Sequence, residues 1–286
     1  MINKKLYYFI NAIMLGLAFI WLFNNLPVFF DTLTSIEFKS IYYLVIAILL
    51  FLVVHTIKAI RMYLILLETK IPIIQLFKQY FKTTFVTILI PFKIGDFFRF
   101  VCFSKEVKSY KTGFIAVLID RFFDTIVLLF LLMIYQYQTI NNSNKLYITI
   151  IIITFLVMIC IINVVLYITY PYLNHFLIIH GSSKKSLVAL EYLEQIKNMQ
   201  ISILEMIKGR TSLIILLSFS VWGIEFLILK CVMILFNKTF DLIGFGKYLE
   251  YSFFGTSSQL NIFYFCLSSI IIIFVTIYLY FKSFIK

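Results

Sequence analysis

Two short clusters of charge interrupt an otherwise apolar chain. The first is IPFKIGDFFRF, residues 90–100, with Lys93, Asp96 and Arg99 between two apolar stretches. The second is Asp120-Arg121-Phe122-Phe123-Asp124, inside the apolar run Gly113–Tyr135. Carboxylates beside guanidinium groups can form an ion-pair network that opens and closes, or hold a charged headgroup. A carboxylate can also serve as a general base while an arginine clamps a phosphate. Spacing narrows the geometry. Asp96 and Arg99 are i, i+3 and can pair on one helical face. Asp120 and Asp124 share a face at i, i+4, and Arg121 reaches Asp124 at i, i+3. Pro91 ends the helix before the first cluster, and Gly95 permits a tight turn there. At 1.5 Å per residue the second cluster lies roughly 10–18 Å in from Gly113. Facing lipid, each such residue would cost about 2.5–3.5 kcal/mol. These side chains are therefore expected to turn toward the bundle interior or a wet cavity. The expectation is one polar network of Asp96, Arg99, Asp120, Arg121 and Asp124, nearly neutral, holding a gate or a headgroup pocket. The plainer readings are a surface ion pair at a helix corner and a purely structural buried pair.

The elements that position these residues follow from composition. Of 286 residues, 62% are apolar and only 13% charged, and the mean hydropathy is +1.01. Soluble domains carry about 25% charged residues. A soluble globule, a disordered chain and a disulfide scaffold are thereby set aside in favour of an all-α polytopic membrane protein. Six apolar stretches are long enough to span: Leu6–Phe23, Ile41–Leu67, Gly113–Tyr135, Leu146–Tyr170, Leu213–Phe236 and Ile262–Phe281. Two shorter ones, Ile73–Pro91 and Leu242–Ser258, read as re-entrant segments. The basic residues support this. With Ile73–Pro91 entering and returning, 19 of the 25 Lys and Arg fall on one face, which the positive-inside rule makes cytoplasmic, with both termini. Residues 24–40 and 136–145 are then outer loops. The net charge of +12 is accounted for by that membrane face, so no nucleic-acid partner is expected. The whole of 1–286 reads as one integral domain of the cell membrane. The opposed topology of its two halves, each with a re-entrant segment, suggests an inverted repeat.

Other charges sit at depth. His55, Lys58 and Arg61 recur at i, i+3, i+6 where the second span leaves the membrane. They either snorkel to headgroups or form a basic approach for an anionic one. Glu225 and Lys230 lie within the fifth span at i, i+5, too far apart in phase to pair, so each should find a partner on another helix. Residues 185–208 carry apolar side chains at three-to-four spacing, an amphipathic helix for the inner membrane surface or for a docking partner. Cys102, Cys160, Cys231 and Cys266 are scattered, as are His55, His175 and His180. Neither a metal site nor a cofactor is expected.

Pro91-Phe92-Lys93-Ile94-Gly95-Asp96-Phe97-Phe98-Arg99, followed by Asp120-Arg121-Phe122-Phe123-Asp124, resembles the two signature blocks of the lysylphosphatidylglycerol synthase transmembrane (flippase-like) family. Those blocks run approximately P-x-(K/R)-x-G-E-x-x-R and E-R-x-x-D, with both glutamates shortened to aspartate here. Lys58-Ala59-Ile60-Arg61-Met62-Tyr63 resembles the family's A-x-R-W stretch with Met62 for Trp. Gly244, Gly246 and Glu250 resemble a third, Gly-rich block, without its proline and with one extra residue of spacing. The resemblance covers roughly residues 41–281. It implies a membrane domain with re-entrant segments whose relatives move or handle aminoacylated phospholipid, or sit beside glycolipid and polysaccharide biosynthesis. The soluble aminoacyl-transfer domain of two-domain relatives is not expected, because the chain ends at Lys286 shortly after the last span. Synthase activity is accordingly not carried over.

Three functions stand at this point. One is a non-enzymatic translocator of a phospholipid or lipid-linked glycan, with Pro91, Lys93, Gly95, Asp96, Arg99, Asp120, Arg121 and Asp124 as the gating network. Lys58, Arg61, Glu225, Lys230, Gly244, Gly246 and Glu250 are its secondary candidates. Another is a membrane partner of a glycosyltransferase or other biosynthetic complex, docking through 185–208. The third is a membrane-embedded lipid-linked glycosyltransferase using Asp96 or Asp120 as base and Arg99 as phosphate clamp.

Overall fold

The computed structural model describes residues 4–36, 41–90, 94–138, 169–179, 184–237 and 259–284. All regular structure among them is helical. The helices are α1 (Lys4–Thr34), α2 (Ile41–Ile65), α3 (Ile73–Leu89), α4 (Ile94–Val107), α5 (Tyr110–Gln138), α6 (169–179), α7 (Lys184–Ile207), α8 (Thr211–Leu235) and α9 (Gln259–Phe284). Four of them are long and apolar enough to cross a membrane: α1, α2, α8 and, over Ile262–Lys282, α9. Helix α5 is as long, but Asp120, Arg121 and Asp124 break its apolar run. The chain forms two compact units, one of Met1–Leu128 with Gly209–Lys286 and one of Leu129–Lys208.

In the first unit α2 packs along α8, α3 lies on α9 and α4, and α1 contacts α3, α4 and α9. Small side chains let these apolar helices approach, as membrane bundles require. Ala18, Ala47, Ala59 and Ala116 are fully buried. Aromatic rings fill the spaces between. Phe29 stacks on Phe263 at 5.1 Å, and Phe51 meets Tyr264 at 4.8 Å.

The first span is longer than the sequence indicates. Helix α1 continues past Phe23 and through Pro27 to Thr34, so residues 24–34 are not a loop. Proline removes one backbone donor, the one that would have met the Phe23 carbonyl, yet the helix runs on, with polar side chains folded back onto its other carbonyls. The Asn25 amide donates to the Trp21 carbonyl at 2.8 Å, and the Thr32 hydroxyl to the Val28 carbonyl at 2.9 Å.

Helices α3 and α4 pack on each other as a hairpin. With 17 and 14 residues they extend about 25 Å and 21 Å, each short of a roughly 30 Å hydrocarbon layer. Ile90 leaves α3 in extended conformation (φ −95°, ψ 117°), as the residue before a proline prefers. Gly95 does not make a turn, contrary to its reading from sequence. It lies inside α4, where a Cβ would come within 2.5 Å of Thr87 Cα on α3. Its role is close packing. Gly113 repeats the device between α5 and α4, since a Cβ there would lie 2.7 Å from Ser104 Cα. Between α4 and α5 the chain reverses at Lys108 (φ 56°). Ser109 then caps α5, its hydroxyl accepting from the Thr112 amide at 3.3 Å.

The start of α8 is tied to the end of α2. Arg210 donates to the Leu64 carbonyl at 2.9 Å and to Glu68 at 2.6 Å. In the second unit, α7 occupies Lys184–Ile207. Residues 169–179, which the sequence assigned partly to an inner loop, are helical, and Lys197 sits 4.2 Å over the Tyr170 ring. Most of the predicted span Leu146–Tyr170 and all of Leu242–Ser258 lie outside the described residues, and with them the second half of the inverted-repeat comparison.

Candidate functional site

Helix α2 presents one polar face to the bundle. His55, Lys58 and Arg61 recur every third residue, about 4.5 Å apart along the axis. Each meets a different partner. His55 Nε2 lies 3.2 Å from Ser268 Oγ on α9, with the imidazole parallel to the Phe51 ring. Lys58 Nζ donates to Glu225 on α8 at 2.9 Å, and the Tyr264 phenol donates to the other oxygen of that carboxylate. Arg61 reaches α5. Neither snorkelling nor a basic approach describes Arg61, which is only 1% exposed and points inward.

Arg61 is the hub of the charged cluster. Its Nε and Nη2 donate to Asp120 Oδ1 at 2.9 and 2.6 Å, and its Nη1 donates to Asp124 Oδ1 at 2.6 Å and to Ser218 on α8 at 2.8 Å. A guanidinium suits this role because its donors are fixed in one plane and stay charged. The i, i+4 spacing of Asp120 and Asp124 puts both carboxylates on the face of α5 that α2 meets.

Arg99 approaches Asp120 from α4. Its Nη1 lies 3.4 Å from Asp120 Oδ2, its Nη2 donates to Thr84 at 3.0 Å, and its guanidinium carbon sits 5.0 Å over the Tyr80 ring. Gly95 and Gly113 hold α3, α4 and α5 close enough for these contacts. Asp96 and Arg99 do not close on each other as their i, i+3 spacing suggested. Asp96 is 3.1 Å from Arg121 Nε. Arg121 also stands 3.7 Å from Asp120 and 3.7 Å from Asp124.

The cluster thus joins three arginines and three aspartates from α2, α4 and α5, with Ser218 from α8. Its formal charge cancels. Sequence reasoning placed two arginines against three aspartates, and Arg61 supplies the missing charge. The signal that could have found it was the three-residue recurrence along α2. Burial is graded. The side chains of Arg61, Arg99 and Asp120 are 1–3% exposed, those of Asp124 and Asp96 15% and 20%, and that of Arg121 39%. One edge of a neutral, buried network is therefore open, and it is the edge with the longest ion pairs. Carboxylates and guanidinium groups arranged this way can exchange partners with little net change in charge.

Among the secondary candidates, Lys58 and Glu225 meet each other, while Lys230 lies exposed on the outside of α8. Pro91, Lys93, Gly244, Gly246 and Glu250 lie outside the described residues. No group of His, Cys, Asp and Glu able to hold a metal ion occurs among the described residues.

Comparison with known proteins adds a family. The family model described as the lysylphosphatidylglycerol synthase TM region matches residues 9–258. No curated protein and no solved structure matches the chain.

Proposed function

The chain belongs to the lysylphosphatidylglycerol synthase TM-region family, and from that premise we propose that it translocates a phospholipid or lipid-linked glycan. It is a multi-pass membrane protein of a lipid-related family. The observation that carries the reading is the neutral arginine–aspartate cluster with one open edge. A headgroup reaching Arg121, Asp96 and Asp124 replaces their ion pairs with pairs of its own. Arg61, Arg99 and Asp120 stay locked behind them. The acyl tails remain in lipid while the polar head passes the edge, and the original pairs re-form afterward. The distribution of Lys and Arg supports a cytoplasmic side for both termini in the cell membrane. Basic residues on that side draw anionic headgroups at about 1 kcal/mol each.

A transferase using Asp120 as base is disfavoured by geometry, because both of its oxygens already face guanidinium groups. A second reading, docking of a biosynthetic partner, draws on α7, which exposes Leu187, Tyr192, Ile196 and Leu204. Reconstitution separates the readings. In vesicles with a headgroup-labelled lipid in one leaflet, the wild-type chain should accelerate exchange and Asp120→Asn should reduce it without loss of insertion. Equal exchange by wild type and empty vesicles would reject translocation. Loss of complex formation on deleting 185–208 would support docking.

A further inference from the structure

A second concentration of charge lies away from the arginine–aspartate cluster, where the start of α1, the middle of α3 and the end of α4 converge. Tyr7 and Asn11 come from α1, Lys82 from α3, and Lys105 and Glu106 from α4. Lys105 Nζ sits 3.6 Å from the centroid of the Tyr7 ring, and Lys82 Nζ lies 5.7 Å from the same centroid. Lys82 also donates to the Asn11 side-chain oxygen and lies 5.8 Å from the Phe98 ring. Tyr7 and Asn11 are buried, and both lysines are half-buried.

The nearby carboxylate does not neutralise this pair. Glu106 is taken up by two glutamine amides of α3, Gln79 at 2.6 Å on one oxygen and Gln75 at 2.5 Å on the other. Among the described residues neither Lys82 nor Lys105 lies within ion-pair distance of an acidic group. Two ammonium groups therefore approach one aromatic ring. Cation–π attraction is weaker than a charge-assisted hydrogen bond to an anion at a half-buried position. An anion between the two ammonium groups would hydrogen-bond both.

The start of α1 and the end of α4 meet at this level, and Tyr and Lys are side chains that favour the membrane–water boundary. We propose that Lys82 and Lys105, both beside the Tyr7 ring, form a binding site for a phosphate group at headgroup depth, separate from the arginine–aspartate cluster. A phosphodiester oxygen accepts from both ammonium groups and leaves the Glu106–glutamine contacts intact. The carrier of the phosphate is an anionic phospholipid of the adjoining leaflet or free phosphate. The site stands whether or not the chain translocates lipid.

The test uses the purified full chain and lipid retention read by native mass spectrometry. Wild type should retain phosphatidylglycerol over phosphatidylcholine. Lys105→Gln should lower that preference about fivefold, and Lys82→Gln with Lys105→Gln roughly 25-fold, at about one fivefold step per basic residue. Displacement of the lipid by millimolar inorganic phosphate, or phosphate binding without lipid preference, would identify free phosphate as the ligand. Equal retention of the two lipids with no phosphate binding would overturn the site. So would undiminished retention in the Lys105→Gln variant, whose half-buried position allows it to fold if the double variant does not.

Discussion

Replacing Arg61 with glutamine removes the one side chain that hydrogen-bonds both Asp120 and Asp124. The volume change is modest, so the perturbation is electrostatic. Wild type holds three positive and three negative charges together, and the variant holds two and three. Asp120 keeps Arg99 at 3.4 Å and Arg121 at 3.7 Å, while Asp124 is left with Arg121 alone at 3.7 Å. Arg61 is 1% exposed, so water does not replace what is lost. Breaking a buried pair from one side costs about 3–5 kcal/mol. Asp124 is 15% exposed, which moves the expectation to the lower end, about 3 kcal/mol. Adding Asp124→Asn takes away the stranded charge and should recover 1 kcal/mol or more, within the roughly 0.5–3 kcal/mol seen for coupled neighbours. Arg61→Lys should recover little, because an ammonium cannot reproduce the planar fork. Unfolding of the purified protein in mixed micelles, followed through Trp222 on α8, measures wild type, these three variants and Asp124→Asn alone. A single-variant loss under about 0.5 kcal/mol, or strictly additive effects in the Arg61–Asp124 cycle, would refute the claim that Arg61 is the hub.

Close packing at Gly95 and Gly113 gives a contrasting set. Gly95→Ala and Gly113→Ala should each destabilise by about 1–3 kcal/mol, because the added methyl meets backbone atoms. Gly16→Ala and Gly223→Ala, with open space around the added carbon, should be neutral or stabilising by about 0.5–1 kcal/mol; thermal unfolding in detergent ranks the four. Glu225→Gln strands Lys58 and should cost about 1–3 kcal/mol. Adding Lys58→Gln should restore much of that loss in the same unfolding assay.

Hydropathy, charge spacing and helix phase are local properties, and the sequence alone determined what depends on them. Apolar runs identify α2, α8 and α9 nearly residue for residue, because a helix that satisfies its own backbone can cross lipid whatever its neighbours are. The cost of bare charge at depth likewise sends Asp120, Arg121 and Asp124 inward before any partner is known. The end of α1 was less legible, since Pro27 and the polar residues around it resemble a loop, although the helix runs through them to Thr34. Partnership was decided only by the tertiary structure. Arg61 and Asp120 are 59 positions apart, and no periodicity links them. Asp96 and Arg99 sit within pairing distance along one helix, yet each takes a partner on α5, because α5 is held against α4 by Gly113. Gly95 reads as a turn from its neighbours and proves to be a packing contact with Thr87. Lys82 and Lys105 belong to the same basic stretch in the sequence, but only the meeting of α1, α3 and α4 puts both on one tyrosine. Which way a side chain must face follows from its own helix and the solvent around it. What it meets depends on how distant helices pack, and that is a property of the whole chain.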